Sequence, residues 1–273
     1  MPLNFFKDSR CLHLFVISQI LERWVSPYWI IVAIGIFFAF SLALLRARDD
    51  RFCTSVKDVF ITLLFIYVGA RVGGVLFKVI GHIFLYSRTP DFWTLENWIM
   101  LLRSGGVFYG GLIGGGLFSL VFIRIRNINF RDIMDIIVPS IALFLVFGRV
   151  ACFSAGCCFG REATWGIVMS DGVARIPVQL IESIFSLCIV VPMLLLRPER
   201  ERRGVLLPMF LATYAVGRFL IEFMRGDMNR GVFILSTSQW ISLVLLLSLG
   251  LFLIIMSKKK ERKRNKDFSD LPS

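Results

Sequence analysis

Charged residues are scarce in this sequence: Asp, Glu, Lys and Arg together make up 18% of its 273 residues. A soluble globular domain usually has about a quarter of its residues charged, so the deficit excludes that class. The hydrophobic content of 56% also excludes an intrinsically disordered chain. Histidine is rarer still, with only His13 and His82.

Long apolar runs fill most of the chain and are separated by short basic clusters. A transmembrane helix needs about 20 predominantly apolar residues, and about seven runs approach this length. They cover approximately residues 28–45, 59–84, 106–123, 133–153, 178–196, 206–223 and 240–256. The pattern predicts an all-α fold, that of a polytopic membrane protein with about seven transmembrane helices.

Basic residues are divided unequally between the two sides of the predicted membrane. If the spans alternate, the side that holds the C-terminal cluster receives about twice as many Lys and Arg as the other, which makes it cytoplasmic. We therefore predict an extracytoplasmic N-terminus, a single transmembrane domain over residues 1–257 and a basic cytoplasmic tail over residues 258–273. The tail contacts membrane lipids on this interpretation. No aromatic-interleaved basic groove or zinc-finger spacing supports a nucleic-acid partner.

Arginines inside the predicted spans are the informative charges, because a cation at a membrane centre costs about 2.5–3.5 kcal/mol on insertion scales. Arg71, Arg149 and Arg218 each stand next to glycine or alanine. Arg218, Glu222 and Arg225 follow at helical spacing and share one face. Pairing of Arg218 with Glu222 would be purely structural, but the excess of positive charge favours an anion such as a lipid phosphate.

The third run contains a glycine cluster in which Gly110 pairs with Gly114, and Gly111 with Gly115, four residues apart. Such small-residue pairs let helices approach closely. They could equally let a lipid headgroup approach the backbone. The sequence leaves both interpretations open and makes Gly110, Gly111 and Gly114 candidate substrate-binding residues together with Arg71 and Arg225.

Several segments, taken in order along nearly the whole chain, resemble one known family. They are Tyr28 with Gly35, residues 69–73, 105–114 and 135–139, Gly148 with Arg149, Gly156, Gly160 with Arg161, and residues 165–167, 177–182 and 217–225. Each is weak alone. The ordered set resembles the bacterial prolipoprotein diacylglyceryl transferase family.

The resemblance implies an enzyme of the bacterial inner membrane whose active site faces the outer leaflet. It would take the diacylglyceryl group of phosphatidylglycerol, join it to the lipobox cysteine of a signal-peptide-bearing prolipoprotein and release glycerol phosphate, the first step of lipoprotein maturation. No cofactor or metal is expected. On this interpretation Arg149 and Arg218 clamp the phosphate, Glu222 orients Arg218 or accepts a proton, and Tyr28 hydrogen-bonds the headgroup.

One departure from the family pattern lies in the glycine segment. The family carries a histidine there that helps to deprotonate the acceptor thiol, and this chain has Tyr109. An unperturbed tyrosine, with a pKa near 10, is a poor base at neutral pH. Tyr109 is therefore a candidate catalytic residue whose role as the base is open.

A second departure is the cluster of Cys152, Cys157 and Cys158, which follows Arg149. In an oxidising compartment Cys152 could form a disulfide with Cys157 or Cys158. One thiolate could instead act as a nucleophile or base in place of the missing histidine. Metal binding would need a fourth ligand, and no histidine lies nearby. Inert packing is the remaining alternative.

Other functions compete with the transferase. A catalytically silent homologue that binds lipid or signal peptides would explain the missing histidine, and a related transferase could use a different acceptor. A transporter ranks third, because the chain lacks two matching halves with broken helices.

Overall fold

The computed structural model describes residues 26–86, 94, 98, 108–169, 172–196, 203–226, 231–232 and 235–269. Over these residues the chain forms seven α-helices. They are α1 (Pro27–Ala47), α2 (Val56–Tyr86), α3 (Phe108–Ile125), α4 (Phe130–Ser154), α5 (Val178–Leu195), α6 (Leu206–Ile221) and α7 (Thr237–Ser269). The mostly helical fold predicted from the apolar runs is confirmed.

Six of the described helices are long and apolar enough to cross a membrane, and the apolar part of α3, Gly110–Ile125, is shorter. The protein is therefore a multi-pass membrane protein. In α7 the apolar window Ser238–Ile255 runs without a break into the basic segment, because Lys, Arg and Glu also favour a helix. A seventh crossing helix and the orientation of the termini stay predictions.

Two short antiparallel hairpins accompany the helices and were not predicted. Strand β1 (Glu162–Val168) pairs with β2 (Ala174–Arg175), and β3 (Gly231–Val232) pairs with β4 (Leu235–Ser236). The segment of β1 contains Thr164, Trp165, Ile167 and Val168, which are β-branched or aromatic and favour extended backbone. A search for long apolar runs does not detect segments of this length.

The chain divides into two compact units. Unit A comprises Met1–Ala39, Val138–Pro198 and Val205–Ser273, and unit B comprises Phe40–Ile137 and Glu199–Gly204. In unit B, buried Asp132 accepts hydrogen bonds from Arg203 at 2.9 and 3.1 Å and from the Cys53 amide at 3.3 Å. Asp135 accepts one from the Gly204 amide at 2.6 Å. These bonds join the short segments between helices to the unit's apolar core.

Helices α2 and α3 of unit B pack through their glycines. A Cβ atom at Gly69 would lie 2.5 Å from the carbonyl oxygen of Gly114, and Cβ atoms at Gly73, Gly110 and Gly114 would also fall within 3.0 Å of the facing backbone. These short distances show close packing of α2 against α3, which is one of the two interpretations of the glycine cluster. A lipid-binding role for Gly110, Gly111 and Gly114 stays a prediction.

Replacing Gly73 by alanine is expected to destabilise unit B. The new methyl group would meet the backbone of Gly110 and Gly114, and backbone atoms cannot rotate away as a side chain can. Overpacking of this kind costs about 1–3 kcal/mol. The measurement is the thermal unfolding midpoint in detergent, with Gly81→Ala on the same helix as the control because nothing lies within 4 Å of a Cβ there. Equal midpoints for the two variants would show that α2 and α3 do not pack as described.

Candidate active site

A chain of five charged side chains lies within unit A. Arg149 is near the C-terminal end of α4, Glu182 is on α5, Arg218 is on the last turn of α6, and Glu222 and Arg225 follow in and after a 3-10 turn. Glu182 Oε2 lies 2.5 Å from Arg149 Nε, and Glu182 Oε1 contacts Arg218. Glu222 Oε2 lies 2.7 Å from Arg218 Nη2 and 3.8 Å from Arg225 Nε. We call this set the ionic chain.

The ionic chain is mostly shielded from solvent and carries one net positive charge. Both carboxylates are buried, and the Arg149 side chain is the most exposed of the five at 22%. Three guanidinium groups share two carboxylates, so the set has one more positive than negative charge. Charges at low dielectric interact strongly, and the arrangement therefore attracts an anion.

Neighbouring polar groups hold the arginines in place. Tyr214 lies within electrostatic range of Arg149, and Arg218 Nη2 donates to Ser238 Oγ at 3.4 Å. A cavity of about 10 Å³ lies where the helices meet, about the volume that one water occupies. Its lining comprises Leu145, Arg149, Glu182, Phe185, Ser186, Tyr214, Arg218 and Ile221.

Glu182 lies at the centre of the ionic chain, but it was not among the site residues predicted from the sequence. It lay within segment 177–182 of the family resemblance but received no role. A signal was present, because Gln179, Glu182, Ser183 and Ser186 form a polar stripe at helical spacing in an otherwise apolar run. All four are buried in α5, which shows that the stripe faces the protein interior.

The predicted site residues fall into two groups. Arg149, Arg218, Glu222 and Arg225 come together in the ionic chain, and Tyr28 on α1 lies within electrostatic range of Cys152, Cys157 and Cys158 in the same unit. Unit B holds the remaining predicted residues, which are Arg71, Gly110, Gly111 and Gly114. Arg71 is exposed on α2. The Tyr109 side chain and His13 lie outside what the structure describes.

The three cysteines form a second cluster in unit A, at the end of α4. Their sulfur atoms all lie within 4.8 Å of one another, and none is in a disulfide. The backbone turns sharply here: Gly156 has φ 63° and Cys158 has φ 65°, a left-handed conformation that non-glycine residues seldom adopt. The side-chain amide of Gln179 holds this turn, because its Nε2 donates a hydrogen bond to the Cys157 carbonyl oxygen at 2.6 Å.

Cys158 connects the cysteine cluster to the ionic chain. A hydrogen bond with Cys152, and weaker interactions with Cys157 and Arg225, lower the pKa of the Cys158 thiol to about 5 although partial burial raises it. Burial raises the pKa of the neighbouring Cys157 thiol. The role of this cluster stays a prediction.

The sequence profile described as prolipoprotein diacylglyceryl transferase matches residues 15–256. The chain belongs to this family. A phosphatidylglycerol–prolipoprotein diacylglyceryl transferase 2 of Clostridium perfringens (strain 13 / Type A) is 30% identical over 260 residues, which cover 91% of this chain and 97% of the relative. Enzymes with the same name, without the final numeral, come from Clostridium tetani (strain Massachusetts / E88), 29% identical with 90% and 99% covered, and Clostridium novyi (strain NT), 31% identical with 88% and 93% covered. The membership predicted from the ordered segments is confirmed.

Proposed function

We propose that this protein transfers the diacylglyceryl group of phosphatidylglycerol to the thiol of a lipobox cysteine in a prolipoprotein, releasing glycerol phosphate. The names of its relatives contain both substrates. The observation that carries the proposal is the ionic chain, which concentrates three guanidinium groups against two carboxylates inside a membrane protein. A phospholipid phosphate is the anion that such a site meets in its own surroundings.

The arginines act on the leaving phosphate. As the acceptor sulfur attacks the glyceryl carbon, the bond from that carbon to the phosphate oxygen breaks and negative charge grows on the glycerol phosphate. Donors already aimed at a site of developing charge stabilise the transition state without reorganisation. Arg149 and Arg218 supply these donors, and Glu182 holds both of them in position before the substrate arrives.

The other candidate residues have supporting roles in this proposal. Glu222 orients Arg218 and Arg225, and Tyr28 hydrogen-bonds the lipid headgroup. Arg71, Gly110, Gly111 and Gly114 contribute to substrate binding, and Tyr109 occupies the family's histidine position without serving as an ordinary base.

The proposed location is the bacterial cytoplasmic membrane, with the active site facing the outer leaflet. Residues 1–257 act as one transmembrane domain that crosses the membrane about seven times, and residues 258–273 lie in the cytoplasm. The prolipoprotein arrives tethered by its signal peptide, so its cysteine reaches the enzyme at the outer leaflet. Unequal distribution of basic residues supports this orientation.

Reporter fusions test the orientation. Green fluorescent protein joined after residue 273 is expected to fluoresce and alkaline phosphatase at the same point to be inactive, because the basic residues on that side resist export. Phosphatase joined after Arg161, in the predicted extracytoplasmic loop, should be active and serves as the matched control. Phosphatase activity in the C-terminal fusion would contradict the proposed orientation.

A catalytically silent homologue is the second candidate, and Tyr109 is the observation that favours it. The two candidates separate in one assay with purified protein, vesicles of phosphatidylglycerol and a synthetic lipobox peptide. The transferase adds the mass of a diacylglyceryl group to the peptide and releases glycerol phosphate in equal amount, whereas vesicles of phosphatidylethanolamine give no product. A silent homologue binds the peptide and leaves its mass unchanged.

A further inference from the structure

Cys152, Cys157 and Cys158 have the arrangement of a three-ligand metal site. In the described part of the chain, they are the one group of three or more Cys, His, Asp or Glu residues whose ligand atoms lie close together, all within 4.8 Å. A tetrahedral zinc ion binds thiolate sulfur at about 2.3 Å, which places the sulfurs about 3.8 Å apart. The observed cluster therefore needs to contract by only about 1 Å to bind zinc.

The number of ligands distinguishes a catalytic from a structural zinc site. Structural sites are closed by four protein ligands, and catalytic sites have three protein ligands with the fourth position open to water or substrate. Here the cluster has three members, Cys157 is exposed, and Cys152 and Cys158 are half-buried. In the sequence, the lack of a fourth protein ligand argued against a metal site. A catalytic zinc site, however, has three protein ligands and leaves its fourth position open.

The surrounding charges suit such a site. Three thiolates and one divalent zinc ion sum to one negative charge, which rises to two when a further thiolate binds. Arg225 lies within electrostatic range of Cys158, and Arg149 lies within electrostatic range of Cys152. Both arginines belong to the ionic chain, so the cysteine cluster lies beside the groups that bind the phosphate in the proposed function.

The chemistry of the reaction also calls for an ion here. The acceptor thiol must lose its proton, and Tyr109 at neutral pH is a poor base. A cysteine of the cluster cannot carry the diacylglyceryl group itself, because its attack would form a thioether, whose alkyl thiolate is too poor a leaving group to pass the group on. A zinc ion deprotonates a thiol that coordinates it.

We propose that Cys152, Cys157 and Cys158 bind one zinc ion and that the thiol of the acceptor cysteine occupies its fourth position as the activated nucleophile. On binding, the S–H bond breaks, the proton leaves to water and a sulfur–zinc bond forms. The sulfur then attacks the glyceryl carbon, the carbon–sulfur bond forms as the carbon–oxygen bond breaks, and the electron pair leaves with glycerol phosphate. Zinc keeps its charge throughout. This inference rests on the proposed function.

Metal binding is tested directly on the purified full-length protein, prepared in detergent with a phosphine reductant. We expect about one zinc ion per chain, and a tetrahedral thiolate spectrum when cobalt(II) replaces it. Cys157→Ser should weaken binding at least about tenfold and reduce the sulfur-to-cobalt absorption. Cys188→Ser removes an exposed cysteine of α5 and should change neither. Failure of the unmodified protein to bind zinc or cobalt, or an unchanged spectrum in Cys157→Ser, overturns the site.

Binding of the acceptor thiol at the fourth position of the metal ion can be measured without catalytic turnover. A lipobox peptide should strengthen the sulfur-to-cobalt absorption, and a peptide with serine in place of the cysteine should not. An unchanged spectrum with the cysteine peptide refutes the activated-thiol role. In the transfer assay, activity that is unaffected by removing zinc overturns this inference and leaves the proposed function standing. A peptide-dependent change in the cobalt spectrum, together with no product from the zinc-loaded protein and phosphatidylglycerol, overturns the proposed function and leaves the metal site standing.

Discussion

Arg149→Ala and Arg218→Ala are each expected to lower the rate of diacylglyceryl transfer by at least about 10³-fold. Loss of one preorganised donor commonly costs about 10²–10³ in rate. Each of these variants also leaves the buried carboxylate of Glu182 with one cation fewer. The measurement is kcat for transfer to a lipobox peptide from vesicles of phosphatidylglycerol.

Lysine variants and a surface control sharpen this prediction. Arg149→Lys and Arg218→Lys keep the charge but lose the planar fork that binds phosphate through two nitrogens, so they should restore only part of the rate. Arg124→Ala removes an exposed arginine from the end of α3 and should leave the rate within about twofold, because isolated surface changes have small effects. Full activity in either alanine variant would remove that arginine from the phosphate site.

Glu182→Gln is expected to produce the second largest effect, a fall in kcat of about 10²-fold with a small change in KM. The amide keeps the shape of the carboxylate but not its charge, so Arg149 and Arg218 lose their common partner and repel each other. The unfolding midpoint should fall as well, because breaking a buried ion pair costs about 3–5 kcal/mol. Glu182→Asp keeps the charge and should recover more activity than the amide.

The control for Glu182 is Glu162→Gln in β1. The Glu162 side chain is 69% exposed and lies 3.4 Å from Arg175, whose side chain is 18% exposed. Solvent around the carboxylate screens this pair, so it contributes about 0–1 kcal/mol. It should therefore change neither rate nor midpoint measurably. A Glu182→Gln variant with normal kcat would mean that the two arginines hold their positions without the carboxylate.

The helices could be predicted because apolar residues continue over long stretches of the sequence. Apolar runs located all seven described helices, because about 20 consecutive apolar residues leave few alternatives to a membrane helix. The hairpins formed by β1 with β2 and by β3 with β4 were missed, since segments of two to seven residues carry little periodicity.

Site residues could be predicted where a charged side chain stands within a predicted membrane span, because such a charge is energetically costly. Arg149, Arg218 and Glu222 stood out because charge inside a membrane needs a reason, and their proximity followed from the family resemblance. Glu182 was missed because its two partners lie on other helices. The polar stripe along α5 shows only that the Glu182 side chain faces the protein interior. Arg71 satisfied the same local criterion as Arg149, yet it lies exposed in unit B, and its role in substrate binding stays a prediction.

The central claim is that this chain modifies prolipoproteins with a diacylglyceryl group, and cells depleted of their own transferase test it most directly. The protein is expressed in such cells, its presence in the membrane is verified, and the lipobox peptides of their lipoproteins are analysed by mass spectrometry. The account predicts a diacylglyceryl group on the lipobox cysteine and restored growth, with neither in cells that express Arg218→Ala. Unmodified cysteine on every lipobox peptide, with the protein folded in the membrane, would contradict it.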